Sequence, residues 1–549
     1  MNAQRLIVAA LTSVAFSGPA MAQSIGPSTT TEPYVLPTVA GVSTKSILTT
    51  GDAIGGYRMV GIPDGLGAWL ENRQTFNLVA NQEISRTLGA VRAHGSTGAF
   101  VSQWVIERAT LKVLSGRDHM TSPNSMFTWN GAGYVPGTTA LERLCSADLA
   151  APSAYDLPGL LGTPSRIFLS GEESAPPFSG DHGRVFAHVV DGQDRNKSFE
   201  LPRLGKVSFE NAVANPHAQL KTVVMLNDDA GRETNVTAAN VCTSAGQTGC
   251  TEPPSEVYMY VGRKQRFGSQ VEQAGLTNGN LYGVRVRLNG AVVTGENPEF
   301  VFGSAAPAVT SARFELVSLG DVSSKTGVQL QNEAITNQVM QFIRVEDGAW
   351  DPRPNKAGDY YFVTTGRITT SATTWRPSRL WRLHFDDIER PEVGGSIEML
   401  LTNQFYSGAG TTPDADPTYQ MFDNLTIDRH GRIVLQEDVG GNNRLGRIYV
   451  YGIDSGELVQ VAQHNPKFFS GTAATNPNFL TNDEESSGVI DATDILGRGW
   501  FLLTVQNHKP STDAELVEGG QLLAMYIDPK IARKKGGHNN ENDNENDND

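Results

Sequence analysis

Six segments of this chain share one pattern, in which apolar or aromatic residues alternate with polar ones and the run closes on Asp, Asn or Gly. They span 184–192, 256–262, 281–290, 379–387, 447–454 and 522–528. A period of two sends successive side chains to opposite faces of a strand, and the closing residue suits a tight turn. Strands of a second type lie between them, at 360–365 and 500–505. Long amphipathic helical patterns are scarce, so the expected class is all-β. At 549 residues the length alone suggests two or three domains, but radially repeated sheets build one unit of this size. The spacing is too uneven for a strict repeat. Irregular blades of a β-propeller with long insertions, such as 110–165 and 390–420, fit it better. A pair of β-sandwiches is the competing arrangement.

The two ends read differently from this body. Arg5, the apolar run 6–16 and the small-residue stretch Ala20-Met21-Ala22 form a three-part export signal, with cleavage expected near Ala22/Gln23. Residues 1–22 are therefore expected to be removed, and 23–45, rich in Ser, Thr and Pro, to form a flexible leader before a domain at 46–530. Residues 536–549 offer no apolar side chain to bury and are expected to be disordered. No run is long and apolar enough for a transmembrane segment. The expected location is periplasmic or secreted.

The net charge is −15, and five of the acids lie in the 541–549 tail, which leaves the body at about −10. Nucleic acid and anionic membranes call for basic patches, so neither is an expected partner; cations fit better. Of three cysteines, Cys242 and Cys250 flank a short polar loop and can close a disulfide in an oxidising compartment. Cys145 is left over, either a buried filler or a metal ligand.

The chain lacks a G-x-S-x-G elbow, a Walker loop, a complete G-x-G-x-x-G and an H-E-x-x-H, and its ten histidines are scattered. It has instead acids at the ends of apolar strands: Asn81 and Glu83, Glu172 and Glu173, Glu210, Asp228 and Asp229, Glu346 and Asp347, Asp423 and Asn424, Glu437 and Asp438, and the stretch from Asp483 through Glu485 to Gly488. One such end means little, since strand-end acids usually face water or cap turns. In a propeller, however, equivalent strand ends meet at one mouth of the central channel. Converging carboxylates repel unless cations neutralise them. Hard oxygen donors favour calcium, magnesium or ferric iron. Arg344 stands two residues before Glu346, on the same strand face, where it can either fork a phosphate or pair with a neighbouring acid.

At these segments the sequence resembles the PhoX-type alkaline phosphatases, from about residue 55 to 530. Asn81-Gln82-Glu83 is similar to the family's Asn-His-Glu strand end, and Gly162-Thr163 through Glu172-Glu173 to its paired glutamates. Residues 204–210 resemble its Gly-Arg-Phe-x-His-Glu segment, and 223–229 the following Val-Val-Tyr-x-x-Asp-Asp. Arg344-Val345-Glu346 and Phe422-Asp423-Asn424 resemble Arg-Pro-Glu and Pro-Asp-Asn. Residues 485–488 and 506–508 resemble its later Glu-x-(Ser/Thr)-Gly and Gln-His elements. The chain departs from the pattern at Phe209, Val345 and Phe422. The resemblance implies a six-bladed propeller that hydrolyses phosphomonoesters with calcium and a ferric pair bridged by a cysteine thiolate.

Together these readings make the expected protein a monomeric, metal-dependent phosphomonoesterase acting on small-molecule phosphate esters. Its expected cofactors are calcium and, by the resemblance, ferric iron. The candidate metal ligands are Glu83, Cys145, Glu172, Glu173, Glu210, Asp229, Glu346, Asp423, Asp438 and Glu485. Arg344 and Glu346 are the candidate catalytic pair, with Arg344 and Asn424 against substrate. The alternatives are a calcium-dependent phytase or other propeller esterase, and a non-catalytic calcium-stabilised binding or adhesion module.

Overall fold

Six blades of mainly antiparallel strands stand around a common axis, each beginning at the axis and running outward. A computed structural model describes residues 22–173, 183–231, 236–243, 247–294, 298–302, 309–367, 376–403, 419–441 and 444–533. The inner strands, in chain order, are Pro63–Leu70, Leu144–Asp148, Phe209–Ala214, Val345–Trp350, Phe422–Ile427 and Glu485–Asp491, and they define blades 1 to 6. Each packs beside the next, and the last lies against the first. The ring is closed, and the fold is an all-β, six-bladed propeller, not a pair of sandwiches.

The recurring sequence pattern marks one position in this architecture. In blades 2 to 6 the third strand is Val185–Val189, Ser255–Arg263, Arg379–Phe385, Arg447–Gly452 and Gly520–Ile527, and each coincides with a patterned segment. The sixth patterned segment is the fourth strand of blade 3, Asn280–Leu288. The strands at 360–365 and 500–505 are second strands, Asp359–Thr364 and Trp500–Gln506.

Both faces of a blade are covered by its neighbours, so the core is divided. Six apolar clusters occupy the six junctions between adjacent blades. In Lys221–Asp228, Val224 and Leu226 face the junction with blade 2, whereas Val223 and Met225 face blade 4. A strand buried on both faces needs apolar residues at consecutive positions. The inner strands approach so closely that a side chain at Gly65 would collide with Ala147, and one at Gly488 with the Asp64 carbonyl.

The segment at 23–45 is not a flexible leader. Val35–Pro37 pairs with Leu458–His464 at the rim of blade 5, and Val42–Thr49 pairs with Gly520–Ile527 as the fourth strand of blade 6. Tyr34 and Val35 are buried between blades 5 and 6. The start of the folded chain therefore completes the blade built by its end, and polar composition concealed this because backbone pairing does not depend on apolar side chains. Deleting residues 22–49 is expected to lower the melting temperature by roughly 10 °C or more, or to abolish soluble folding, since it exposes the Gly520–Ile527 edge and part of two junction cores. A melting curve unchanged by that deletion would contradict the closure.

Residues 1–21 and 534–549 lie outside the described residues, as does 404–418 within the second long insertion. Residues Met126–Trp129 of the first insertion pair in parallel with Lys197–Glu200 and extend blade 2. Ser311–Gly320 pairs with the outer strands of both blade 3 and blade 4 and joins them into one sheet. Cys242 and Cys250 form a disulfide. Among the described residues no helix is long and apolar enough to cross a membrane.

Candidate metal centre at the channel mouth

All six inner strands carry a register irregularity near their first residues, between Pro63/Leu66, Leu144/Ala147, Phe209/Asn211, Val345/Gly348, Phe422/Leu425 and Ser487/Val489. A bulge re-aims the side chains beside it. In five of the strands the residues at it are Asp64, Cys145, Glu210, Glu346 and Asp423, and Glu485 opens the sixth, two residues before its irregularity. Each inner strand also faces the end of its blade's second strand, where Glu83, Glu173, Asp229, Thr365, Asp438 and His508 lie at or just beyond the last residue. One mouth of the ring thus collects polar groups from all six blades.

Three groups of possible ligands are linked through shared members. Asp64, Glu83 and Cys145 form the first, Cys145, Glu173 and Glu210 the second, and Glu210, Glu346 and Asp423 the third; within each, ligand atoms lie within 4.8 Å of one another. The expected residues Glu83, Cys145, Glu173, Glu210, Glu346 and Asp423 are thus together. Asp64 was missed, because Pro63-Asp64-Gly65 reads as a turn, and it sits at the bulge instead.

The hydrogen bonds around these groups order the cluster. Cys145 Sγ lies 3.4 Å from Asp64 Oδ2, and Ser146 donates to Glu210 at 2.6 Å and to Asn424 Oδ1 at 3.3 Å. Gln506 Nε2 donates to Asp64 at 2.9 Å and Glu83 at 2.8 Å. Arg143 bridges Glu83 and Glu173, both at 2.5 Å, and Arg344 bridges Asp229 at 2.9 Å and Glu346 at 2.7 Å. Thr365 donates to Glu346 at 2.9 Å, and Asn424 to Asp423 at 2.6 Å. Arg344 holds φ at +56°, as do Ile62 and Met421 at +53° and +48°, each immediately before an inner strand. Strained backbone of this kind gathers at functional sites.

Four expected ligands stand outside the three groups. Glu172 does not face the channel: successive strand residues point to opposite sides, and Glu172 forms a buried two-pronged pair with Arg184, at 2.8 and 2.9 Å. Asp229 is taken up by Arg344. Asp438 accepts from the Gly440 amide at 2.8 Å, and its charge is felt by Glu346, Asp423 and Glu485. Glu485 accepts from Ser487 and lies 3.4 Å from His508.

The charge balance is lopsided. Among the described residues, nine acids (Asp64, Glu83, Glu173, Glu210, Asp229, Glu346, Asp423, Asp438 and Glu485) face three cations, Arg143, Arg344 and His508. Burial and then neighbouring carboxylates push Asp64, Glu210 and Asp423 well above the usual carboxylate range. Burial lifts Glu346 to about 8, against the pull of Arg344. Burial and the surrounding acids also raise the Cys145 thiol well above its ordinary value. Glu83 moves the other way, since Arg143 and Gln506 outweigh its burial. Burial opposes charge on His508, yet Glu485 and Glu518 lift it to about 11. Buried acids short of cations must hold either protons or metal ions. Asp64 Oδ1 is buried with no partner, and the donor set is carboxylate oxygen plus one sulfur, so the cluster fits hard cations with one softer position.

Fold and site together define a six-bladed β-propeller with a carboxylate-rich candidate metal centre at one channel mouth. No protein-family model matches the chain, and no curated protein matches it in sequence. Among solved structures it is similar to Pseudomonas fluorescens PhoX in complex with vanadate, a transition state analogue, with a TM-score of 0.59 and 12% identity over 90% of this chain and 96% of that one. The α-L-arabinofuranosidase Arb93A of Fusarium graminearum is more distant, with a TM-score of 0.37 and 7% identity over 84% and 92% of the two chains. The chain therefore has a PhoX-like fold.

Proposed function

We propose that the protein is an exported, cation-dependent phosphomonoesterase. The observation that carries this reading is the chain of three ligand groups linked by Cys145 and Glu210, with Arg344 at one end. Asp64, Glu83, Cys145, Glu173 and Glu210 would hold a metal pair around the thiolate, and Glu210, Glu346 and Asp423 a calcium ion. Such cations, when bound, polarise a phosphoryl group and acidify a bound water. Arg344 presents a guanidinium whose fork matches two phosphate oxygens. Asp229 and Glu346 aim it, and Asn424, held by Ser146, offers its amide beside Asp423. Arg143 and Gln506 keep Glu83 ionised and ready to bind a cation. Export is supported by the three-part N-terminus and by the Cys242–Cys250 disulfide, which suits an oxidising compartment. The substrate would be a small phosphate ester taken by a monomer.

A calcium-only centre is the second reading, favoured by one fact: apart from Cys145, every donor in the three groups is a carboxylate. The deciding experiment is metal analysis and p-nitrophenyl phosphate turnover on protein purified without chelator. Iron content with a visible thiolate band supports the mixed centre, and calcium alone supports the second. Turnover that survives complete chelation would refute both.

The raised carboxyls also set a pH dependence. A group whose folded pKa is raised contributes stability that is complete below its unfolded value, near 4, and lost as pH climbs through the folded value. For Glu346 that upper value is about 8, and Asp64, Glu210 and Asp423 shift in the same direction. The chelated protein is therefore expected to melt at lower temperature at pH 9 than at pH 6, with calcium reversing the loss and releasing protons as it binds. A chelated melting temperature flat across that window would contradict the assignment.

A further inference from the structure

The junction between blades 1 and 2 holds three histidines that the channel chemistry does not use. His94 lies in the connection between the second and third strands of blade 1, His119 directly follows its fourth strand Val113–Asp118, and His188 sits in Val185–Val189 of blade 2. All three are at most 1% exposed. Among the described residues, both ring nitrogens of His94, both of His119 and Nε2 of His188 have no hydrogen-bond partner. Buried polar atoms left unpaired are uncommon, and an ordered water or a bound ion is their usual partner.

We propose that His94, His119 and His188 form a second ion site, for a divalent ion of the zinc or copper class, which staples blade 1 to blade 2. The rings of His119 and His188 stand perpendicular, with centroids 5.8 Å apart. Two imidazoles on one tetrahedral ion, at about 2.0–2.1 Å from metal to nitrogen, have centroids roughly 5–6 Å apart. The neighbouring strand orients the His188 ring. Ser198 meets His188 Nδ1 at 2.7 Å, which leaves Nε2 for an ion. Partners of this kind fix the tautomer of ligating histidines. Burial keeps all three imidazoles neutral, with lone pairs free, and takes His119 down to about 3.

His94 lies near enough for its charge to act on His188, but the three rings do not converge as closely as the acidic groups of the channel. Closure on an ion requires movement at His94, which sits in a turn closed by the Gly95 amide on the Arg92 carbonyl at 2.8 Å. The donor type, not the surrounding charge, selects the ion. Arg92 and Arg117 oppose positive charge here and Asp118 favours it, and Asp118 is already paired with Arg92 at 2.6 Å. A hard ion that depends on anionic oxygens gains little in such a place, whereas imidazole nitrogen suits zinc, copper or nickel.

The test loads the whole protein with calcium to fill the channel and then titrates zinc or cobalt(II), measuring bound metal, melting temperature and the visible spectrum. One further equivalent is expected, with a raised melting temperature and the d–d bands of nitrogen-bound tetrahedral cobalt. His119→Gln and His188→Gln should each remove that equivalent and leave calcium content and ester turnover unchanged. His94→Gln, on a turn, decides the matter if the strand-proximal variants fail to fold by circular dichroism. Absence of the further equivalent, or its retention in the folded histidine variants, overturns the proposal; so does its loss in Glu210→Gln, which would place the ion in the channel.

Discussion

Glu210→Gln is expected to reduce cation content and phosphomonoester turnover together, by at least about a hundredfold in affinity and about a thousandfold in turnover. Glu210 belongs to two of the three ligand groups, so one substitution removes a negative donor from both. The amide keeps the shape, and Ser146 can still donate to its oxygen, so the fold should survive. Stability of the chelated variant should rise, because a buried acid surrounded by Glu346, Asp64 and Glu173 has been made neutral. That opposite sign separates loss of a ligand from simple unfolding. Cys145→Ser is the companion experiment. Under the mixed-metal reading it loses iron and activity, since a hydroxyl is a poor replacement for a bridging thiolate, whereas a calcium-only centre keeps its calcium and most of its activity. Wild-type turnover in Glu210→Gln would remove the channel cluster from the reaction.

How much of this was legible in the sequence depends on which strand carried the information. Third strands are long and aromatic and end in turns, so their period of two is plain at 379–387 and 447–454. In blade 1 the third strand, Phe100–Glu107, runs into Arg108-Ala109-Thr110, and without a closing Asp, Asn or Gly it was passed over. The ends of second strands were readable because an apolar run stops abruptly at an acid, as at Glu83 and Asp229. Which of two adjacent acids turns inward was not readable: Glu172 and Glu173 look equivalent until Arg184 claims one of them. The inner strands were the least legible. They are short and bulged, and they mix Gly, Ser and Asp with apolar residues, so Asp64 resembles a turn residue. His508 stands in the Gln-His resemblance at 506–508, whereas Arg143, a cation partner from a distant segment, carries no local signal. The same holds for His94, His119 and His188, which are scattered in sequence and brought together only by the packing of blade 1 on blade 2.

Arg344 and Glu346 are expected to fail in different ways although they touch each other at 2.7 Å. Arg344→Lys keeps a positive charge near Asp229 but loses the planar fork, which now reaches Asp229 with two nitrogens at 2.9 and 3.1 Å. Cation content should be unchanged while turnover falls about tenfold to a thousandfold, if the fork holds phosphate oxygens in the transition state. Glu346→Gln instead removes a donor from the third ligand group, so cation content falls and turnover follows. The competing account is that Arg344 serves only to neutralise Asp229 and Glu346, with which it is paired. That account makes a different set of predictions: both variants lose stability, neither alters the Michaelis constant, and vanadate inhibits the lysine variant as it does the wild type. A buried pair broken on one side costs several kcal/mol, so the melting temperature must be measured beside the kinetics. A lysine variant with lowered stability but unchanged turnover and vanadate affinity would assign Arg344 to the scaffold and leave phosphate binding to the cations.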